Sequence, residues 1–449
     1  MALSPSRLCH HVCVVRHPLE PAALAVPAAP GWALPGFAMA PIHPGDAGAV
    51  NRRLRETASV EATVLRTLGH TFDPGRRESE WIHEMELAAP PRPEARWLGA
   101  GEVARLPMAE RHREILTDWL GRSCDDDVDG GRPWQRSGWR RRAVAWVEAT
   151  LAGHGLGPVG TVEQVRAWET SCVLRLQAGP VAYYLKAVPP RLERELRLTA
   201  TLAHEHPRSI PRVVAVDLTE PWMLSQASAH PSLEEVTDVA AWERAAARYG
   251  TLQAAWAGRG DDVLALGCED RRLGRLGEQI AACLADEAAM LVGEPDGLTA
   301  GEATALPALA DESAALCDRL ASFGIPDALD HGDLWGANVL AAPEPLFIDW
   351  EDAALSHPFF SLFLLVLGAE ESLAGFPDVP ATLREAYLAS WAGRAPDYRL
   401  REAFAVAQRL APLRYAVSFR DFLASTDRVS WELRGFLPYY ARLALASRE

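Results

Sequence analysis

The stretch His331–Leu340 reads HGDLWGANVL, and the stretch Leu346–Glu351 that follows it reads LFIDWE. Each contains a short apolar run, Val339–Leu340 in the first and Leu346–Ile348 in the second, of the kind that forms a buried β-strand. Acidic and amide side chains lie beside these runs. The two stretches therefore predict a polar loop flanked by two short strands, with its carboxylates held on rigid backbone.

The polar residues of this loop suit a specific chemistry. Asp333 and Asn338 are five residues apart, and Asp349 follows the second apolar run. Phosphoryl transfer needs a carboxylate that orients the acceptor hydroxyl, oxygen ligands for Mg²⁺ and positive charge at the phosphates. Asp333 is predicted to face the acceptor, while Asn338 and Asp349 offer the oxygen ligands that Mg²⁺ prefers. The alternative is that Asp333 caps a turn and Asp349 is a satisfied carboxylate at a strand end.

The combined pattern of His-Gly-Asp, four residues, Asn and a later Ile-Asp-Trp-Glu resembles a known family. It is similar to the catalytic and metal-binding segments of the aminoglycoside phosphotransferase and choline kinase-like family, relatives of the protein kinases. The resemblance covers about 155–390. It implies an α+β, bilobal protein-kinase-like fold with a small β-rich N-lobe and a large helical C-lobe. It also implies a catalytic Asp333, with Asn338 and Asp349 as metal ligands, ATP and Mg²⁺ as cofactors, and a structural His331 bonded to backbone.

The same resemblance predicts a lysine on an N-lobe strand that binds the α- and β-phosphates. Lys186 lies in the aromatic and apolar run Tyr183–Ala187, where an unpaired ammonium group would be costly. A phosphate and a glutamate of the following helix would satisfy it, with Glu195 as first choice and Glu193 as second. The alternative is a lysine on an edge strand whose ammonium group reaches water.

Two further segments are predicted to contact the nucleotide. One contains Thr170 and Ser171. In this family a Ser- or Thr-containing turn covers the phosphates with backbone N–H groups. The glycine-rich loop that does so in protein kinases is missing from this sequence. The other ends in Ser225 and Gln226 and resembles the hinge between the lobes, where backbone groups would contact adenine. One position departs from the family pattern, because Ser361 stands where a second aspartate is usual, which leaves the bracing of the loop open.

Shifts in composition and in residue pattern divide the chain into four segments: 1–122, a linker and helix at 123–153, the N-lobe at 154–230 and the helical C-lobe at 231–449 with its catalytic loop at 331–349. The N-lobe pattern predicts strand, strand, helix, strand, strand at 173–176, 181–188, 191–204, 212–217 and 222–226. The C-lobe pattern predicts helices at 240–257, 270–293, 301–323, 380–392, 398–423 and 429–447.

The first segment resembles a Nudix domain, an α/β domain, that has lost its catalytic box. Gly31–Gly36 and Arg52–Val60 resemble the start of that box and the helix that carries it. Nudix hydrolysis requires several glutamates on one helical face to hold metal against a diphosphate. Glu56 is the one that remains, and Arg53 would oppose a metal. No hydrolase activity is expected, and the segment is predicted to bind a nucleotide-like ligand, contact the kinase-like lobes or serve as a scaffold.

The composition argues for a globular protein without a nucleic-acid or membrane partner. The chain of 449 residues is 49% apolar and carries a formal net charge of -15, whereas phosphate backbones select basic surfaces. The longest apolar run, Pro358–Ala369, predicts a buried helix, because a bilayer span takes about 20 residues. Seven scattered cysteines and the lack of a signal-like start favour a cytoplasmic location. The sequence makes no prediction about the oligomeric state.

Three functions remain open at this stage. The first is a small-molecule kinase whose acceptor is a hydroxylated compound of the aminoglycoside, choline or sugar-like class; Glu351 and Asp352 near the loop favour a cationic acceptor. The second is a pseudokinase or nucleotide-sensing binding protein, which the presence of Lys186, Asp333 and Asp349 disfavours. The third, a Nudix-type hydrolase, is disfavoured by the missing glutamates.

Overall fold

The acidic run of the predicted linker lies outside the residues that the computed structural model describes, which are 7–29, 31–73, 75–91, 93–121, 132–376, 378–424 and 431–447. The chain forms two compact units. Unit 1 contains Met1–Glu193 and Val214–Ala227, and unit 2 contains Arg194–Val213 and Ser228–Glu449.

The N-terminal part of unit 1 is built on a mixed sheet of order β3-β2-β1-β6-β5, to which β4 and β7 also pair. Its elements are β1 (Leu8–Arg16), β2 (Ala23–Ala28), β3 (Gly31–Ala33), β4 (Gly36–Met39), α1 (Ala47–Ala58), β5 (Ala62–Asp73), β6 (Glu78–Leu87), β7 (Arg96–Leu98), α2 (Ala100–Val103) and α3 (Glu110–Gly121). Strand β1 runs parallel to β6 and antiparallel to β4. Its buried residues alternate between two apolar clusters, with Val14 in one and Cys13 in the other, because successive side chains of a strand face opposite sides.

The second part of unit 1 is the predicted β-rich lobe. Its sheet has the order β11-β12-β10-β9-β8. The elements in chain order are α4 (Trp139–Gly153), β8 (Val159–Ala167), β9 (Cys172–Ala178), β10 (Val181–Ala187), α5 (Glu193–Glu205, which belongs mostly to unit 2), β11 (Val213–Asp217) and β12 (Trp222–Gln226). The predicted order of strand, strand, helix, strand, strand is confirmed, and β8 is an additional strand. Helix α4 buries every fourth residue, from Trp139 to Leu151, against the apolar face of this sheet, as an amphipathic helix does.

A buried glutamine joins the two parts of unit 1. Gln164 is the buried residue of β8, and its side-chain amide pairs with the backbone of Val64 on β5: Val64 N donates to Oε1 at 2.9 Å, and Nε2 donates to Val64 O at 2.8 Å. Asn51 on α1 donates to the same Oε1 at 3.0 Å. Ala167 N also donates to Gly45 O at 3.0 Å. The N-terminal part is therefore hydrogen-bonded along β8 rather than attached only through the linker.

Unit 2 is mainly helical and has one large apolar core. After α5 its elements are α6 (Val239–Ala255), α7 (Gly260–Ala265), β13 (Glu269–Arg271), α8 (Leu273–Leu284), α9 (Ala300–Thr304), α10 (Leu306–Ala321), β14 (Ala328–Asp330), β15 (Val339–Leu340), β16 (Leu346–Phe347), β17 (Ala354–Ser356), α11 (Leu362–Ser372), α12 (Val379–Ala389), α13 (Asp397–Ala424), α14 (Trp431–Arg434) and α15 (Phe436–Ala446). The α+β fold class is confirmed. No described helix is long and apolar enough to cross a membrane.

Some predicted helices of unit 2 were too long. The helix predicted at 270–293 begins only at Leu273, because Glu269–Arg271 forms β13, which pairs in parallel with β17. The helix predicted at 301–323 is two helices, because Pro307 has no N–H to donate and fits the first turn of α10. The last predicted helix divides at Gly435 into α14 and α15. The predicted buried helix of the apolar run is α11, preceded by the turn Pro358–Phe360.

Candidate active site

The predicted loop between two short strands is present in unit 2. Strand β14 leads into it, a turn at Gly336–Asn338 closes it, and β15 and β16 follow as an antiparallel hairpin. Ile348 N donates to Asn338 O at 3.0 Å and extends the hairpin by one step. Asn338 and the residue before Asp349 are therefore opposite each other, which fixes the two predicted metal ligands on one piece of backbone.

Asp333 and Asn338 are hydrogen-bonded to each other. Asn338 Nδ2 donates to the Oδ2 of Asp333 at 2.8 Å and to its backbone carbonyl, also at 2.8 Å. These two bonds identify which atom of the Asn338 amide is the nitrogen, because the oxygen and nitrogen of an amide are assigned from the hydrogen bonds around them. Because the nitrogen is used in this way, Oδ1 is the atom of Asn338 that would ligate a metal. The pairing brings together the predicted catalytic carboxylate and a predicted metal ligand.

Gly332 allows the loop to approach the segment after β16. Its φ is +82°, a conformation that favours glycine. A Cβ at this position would overlap the backbone carbonyl of Asp352. The N–H of Gly332 donates to Asp330 Oδ1 at 3.2 Å. The glycine of the His-Gly-Asp pattern is thus required by both its backbone conformation and a close neighbour.

We expect Gly332→Ala to lower turnover by about a hundredfold or more, because a displacement of about 1 Å at a catalytic group costs about that factor. The matched control is Gly324→Ala, since Gly324 has a φ of +68° but no neighbouring atom near the added Cβ. The control should lose only about 1–2 kcal/mol of stability from its backbone conformation and keep its turnover. Steady-state turnover and thermal unfolding of both variants test this; equal activities would contradict it.

His331 ties the loop to the strand that precedes Asp349. Its Nδ1 accepts from Asp333 N at 3.3 Å, so Nε2 carries the proton that it donates to Ile348 O at 3.0 Å. Burial lowers the pKa of His331 to about 4, and its ring packs on that of Trp350, 4.4 Å between centroids. The histidine therefore acts as a neutral bridge between backbone groups, as the sequence predicted.

Asp349 lies in strained backbone beside two other carboxylates. Its φ is +66°, a left-handed conformation that aspartate tolerates better than most residues. Carboxylate oxygens of Asp349, Glu195 on α5 and Glu351 lie within 4.8 Å of one another. Three carboxylates at this distance repel one another unless positive charge lies among them. An all-oxygen set fits Mg²⁺, so the residues present suit the predicted metal, and Glu195, predicted as a lysine partner, lies beside a predicted ligand.

A buried ion pair between Arg414 and Asp330 braces the loop. Arg414 Nη2 lies 2.6 Å from Asp330 Oδ2, and both side chains are completely buried. Ser361 Oγ donates to Asp330 Oδ1 at 2.6 Å and accepts from Gln253 Nε2 at 2.9 Å. Tyr249 OH donates to the same Oγ and accepts from His331 N, both at 3.0 Å. Ser361, the departure from the family pattern, is thus part of the brace.

The sequence reasoning missed the residues of this brace. Arg414 is the single charged residue in the apolar run Leu410–Val417, and Asp330 directly precedes the His-Gly-Asp pattern. A charge at a buried helix position nearly always has a partner. This signal could have identified Arg414 as buried and paired, although not with which carboxylate.

Several carboxyl groups lie close together beside the loop. Burial and then the neighbouring carboxylates of Glu351 and Asp333 hold the pKa of the Asp352 carboxyl well above its usual range. Arg194 on α5 donates from Nη2 to the backbone carbonyl of Glu351 at 3.2 Å. Asp352 therefore favours its neutral, protonated form, while Glu351 belongs to the group of carboxylates around Asp349.

Three residues that are predicted to contact the nucleotide lie on strands of the five-stranded sheet formed by β8 to β12. Lys186 is on β10, opposite Val173 of β9 and Met223 of β12. The alternative of an edge-strand lysine is therefore wrong, because β10 has a hydrogen-bonded neighbour on each side. Ser225 and Gln226 end the adjacent strand β12.

The predicted phosphate-covering turn connects β8 and β9. Thr170 and Ser171 are buried in it, and Trp168 N donates to Ser171 O at 2.8 Å. Arg132 forms an ion pair with Glu169 and donates from Nε to its carbonyl at 3.1 Å. The ring of His43, from the N-terminal part of unit 1, packs edge-on against Trp168 at 5.3 Å. The contacts with Arg132 and with His43 therefore hold the turn in place.

Several solved structures are similar to this chain. The choline kinase from Cryptosporidium parvum Iowa II is 9% identical with a TM-score of 0.51, and the match covers 69% of this chain and 95% of that chain. A choline/ethanolamine kinase family protein from Mesorhizobium loti is 19% identical with a TM-score of 0.48, covering 69% and 95%. The choline kinase from Streptococcus pneumoniae is 15% identical with a TM-score of 0.46, covering 68% and 98%. At 9% identity, the similarity to the Cryptosporidium parvum enzyme shows the fold alone.

Comparison with curated protein sequences gives no significant match. A family model described as the phosphotransferase enzyme family matches residues 161–404. The matched region begins after the N-terminal part, so the resemblance of that part to a Nudix domain stays a prediction. The predicted relationship to aminoglycoside phosphotransferases and choline kinases is confirmed. Because the matched region is more than half of the 449 residues, the chain belongs to the phosphotransferase enzyme family, whose members are small-molecule kinases with hydroxyl acceptors.

Proposed function

We propose that the protein transfers the γ-phosphate of ATP to a hydroxyl group of a small organic molecule in a Mg²⁺-dependent reaction. The observation that carries the proposal is the hairpin of unit 2, in which Asp333 is held 2.8 Å from Asn338 and Asp349 is fixed in left-handed backbone. Family membership supports phosphoryl transfer as the reaction class.

Each residue has a distinct role in the proposed reaction. The carboxylate of Asp333 orients the acceptor hydroxyl and takes its proton as the new O–P bond forms. Asn338 Oδ1 and the Asp349 carboxylate would hold Mg²⁺, which neutralises charge on the phosphates when bound. Lys186 binds the α- and β-phosphates, and the backbone of the turn at Thr170 and Ser171 covers the phosphates.

The acidic side of the site supports a cationic acceptor. Glu351 lies two residues after Asp349, and the carboxylate oxygens of both residues lie within 4.8 Å of that of Glu195. The negative electrostatic potential of these carboxylates would attract an acceptor that carries an ammonium group, whereas it would not attract a neutral alcohol.

The proposal is tested by measuring ADP formation with Mg²⁺ and a panel of acceptors. Choline, ethanolamine and an aminoglycoside represent cationic acceptors, and a macrolide and neutral sugars complete the panel. We expect acceptor-dependent ADP formation that stops with EDTA, a phosphomonoester in the product by ³¹P NMR, and a preference for cationic acceptors. ADP formation that no acceptor raises above the acceptor-free rate would contradict the transfer; equal rates for matched neutral acceptors would contradict the cationic preference alone.

Asp349→Asn tests the metal role separately. Asparagine also tolerates positive φ, so the exchange removes the charge without changing the backbone preference. We expect the Mg²⁺ concentration for half-maximal activity to rise by about 10- to 100-fold, the range found around metal sites. Asp318→Asn on the exposed face of α10 is the control. An unchanged Mg²⁺ requirement in Asp349→Asn would exclude this residue as a ligand.

A further inference from the structure

The loop that joins β4 to α1, residues 40–46, contacts the start of the predicted phosphate-covering turn. The Gly45 carbonyl accepts from the N–H of Ala167, the last residue of β8, at 3.0 Å. The ring of His43 packs edge-on against that of Trp168, with centroids 5.3 Å apart and planes at 62°. All of these residues belong to unit 1. The β4–α1 loop therefore contacts the two residues from which the turn begins.

Gly45 lies so close to Trp168 that an added methyl group would press on it. A Cβ at position 45 would be 3.1 Å from Trp168 Cβ and 3.3 Å from its Cε3, which is shorter than the optimal carbon–carbon separation of about 3.5–4.0 Å. The Cβ of Trp168 is bonded to the backbone and cannot move away unless the backbone moves with it. The position of the loop therefore determines where the turn starts.

Hydrogen bonds within the β4–α1 loop hold His43 in place. Asp46 N donates to the carbonyl of His43 at 2.9 Å, and Gly45 N donates to His43 Nδ1 at 3.0 Å. Asp46 Oδ1 accepts from Ala49 N at 2.9 Å and caps α1, which anchors the loop to the helix. The ring of His43 is thus fixed relative to α1, so it can hold Trp168 in one position.

Trp168 connects this contact to the rest of the turn. Its N–H donates to Ser171 O at 2.8 Å and closes a turn of four residues, in which Thr170 and Ser171 are buried. Backbone N–H groups bind an anion when a turn makes them converge. A turn that is already held in its binding conformation loses less conformational freedom when the ligand binds. Contacts at Trp168 should therefore favour the binding of phosphate groups at the turn.

We propose that the N-terminal part of unit 1 positions the phosphate-covering turn for ATP, with His43 as the positioning residue that acts through Trp168. The inference rests on the proposed function, which assigns the turn to the phosphates. Of the roles that the sequence leaves open for the N-terminal part, it selects contact with the kinase-like N-lobe. This role needs none of the metal-binding glutamates that a Nudix helix would carry.

The test measures the Kd of MgATP for the full chain by calorimetry, and KM for ATP and for the acceptor. His43→Ala removes the ring, and because His43 is exposed the variant should fold. We expect its Kd and KM for ATP to rise by at least about threefold, since an aromatic contact corresponds to about 2- to 12-fold in affinity. KM for the acceptor should stay unchanged, because the turn is assigned to the phosphates of ATP.

His17→Ala is the matched control in the N-terminal part. The Nδ1 of His17 also accepts backbone N–H groups, and its ring also packs edge-on against a tryptophan, Trp97, with centroids 4.7 Å apart. This pair does not include a residue of the turn. The control should therefore bind MgATP as the wild type does.

A second variant keeps both rings and disturbs the contact from the backbone side. Gly45→Ala presses on Trp168 Cβ and should also weaken MgATP binding, whereas Gly153→Ala on α4 adds a Cβ with no atom within 4 Å and should not. Trp168→Ala should weaken binding as well. Because His43 acts through Trp168, the double variant should bind MgATP no more weakly than Trp168→Ala alone.

Thermal unfolding establishes which variants are folded. The inference is overturned if folded His43→Ala or Gly45→Ala binds MgATP as tightly as its control, or if the losses of His43→Ala and Trp168→Ala add in the double variant. Those outcomes leave the proposed phosphoryl transfer intact. A wild type that binds no MgATP would contradict both proposals, whereas binding without acceptor-dependent ADP formation would contradict the transfer alone.

Discussion

Asp333→Asn is expected to reduce turnover by about two to four orders of magnitude, the range attributed to a positioned general base. The exchange removes the charge that, in the proposed reaction, orients and deprotonates the acceptor hydroxyl. It keeps the shape of the side chain, and the amide oxygen of the new residue can still accept the bond that Asn338 Nδ2 now gives to Asp333 Oδ2 at 2.8 Å. The loop should therefore stay in place, so the loss should appear in kcat and not in the binding of ATP.

The measurement is kcat and KM from coupled ADP release, with calorimetric titration of ATP into both proteins. Asp318→Asn, at an exposed position of α10, controls for the loss of one carboxylate elsewhere in unit 2 and should keep full activity. A turnover of Asp333→Asn within about threefold of the wild type would refute the assigned role. Loss of ATP binding would instead indicate that the loop had moved.

Arg414→Met is expected to lower the free energy of unfolding by about 3–5 kcal/mol, because removal of one partner leaves the other charge buried and uncompensated. The carboxylate left behind is that of Asp330, which is completely buried. The same carboxylate receives hydrogen bonds from Gly332 N and Ser361 Oγ. Turnover should fall together with stability, since the brace positions the catalytic loop.

Helix α13 offers a matched control for this change. Arg401 pairs with Glu385 at 2.7 Å, but both side chains are about half exposed, and exposed pairs contribute only about 0–1 kcal/mol. Urea unfolding of Arg414→Met and Arg401→Met compares the two environments with the same chemical change. A loss below about 1 kcal/mol for Arg414→Met would contradict the bracing role. Partial recovery on adding Asp330→Asn would identify the stranded charge as the cause.

The hairpin of the proposed site could be predicted from the sequence because its residues lie close together in the chain. Asp333, Asn338 and Asp349 lie within one strand–loop–strand stretch, so local spacing already restricts how far apart they can be. The pairing of Asp330 with Arg414 could not be predicted, because a helix far along the chain supplies the arginine. The need for glycine at 332 likewise depends on a non-local neighbour, the carbonyl of Asp352.

Strand β8 was not recognised for a different physical reason. A half-buried strand is identified by alternating apolar residues, but the buried side chain of β8 is the polar Gln164. Sequence patterns thus predicted the elements that bury their own apolar residues and missed those defined by polar contacts to distant backbone.

The amide of Gln164 has a consequence for the history and engineering of this chain. It gives Val64 one donor and one acceptor, which is what a further β-strand would provide, so a single side chain substitutes for a strand at the bulged part of β5. The first 121 residues are therefore not a removable appendage. A shortened protein starting at Arg132 would expose this amide to water, and a replacement domain would have to present a complementary peptide group at the same place. We expect the two parts of unit 1 to be inherited, exchanged and unfolded as one.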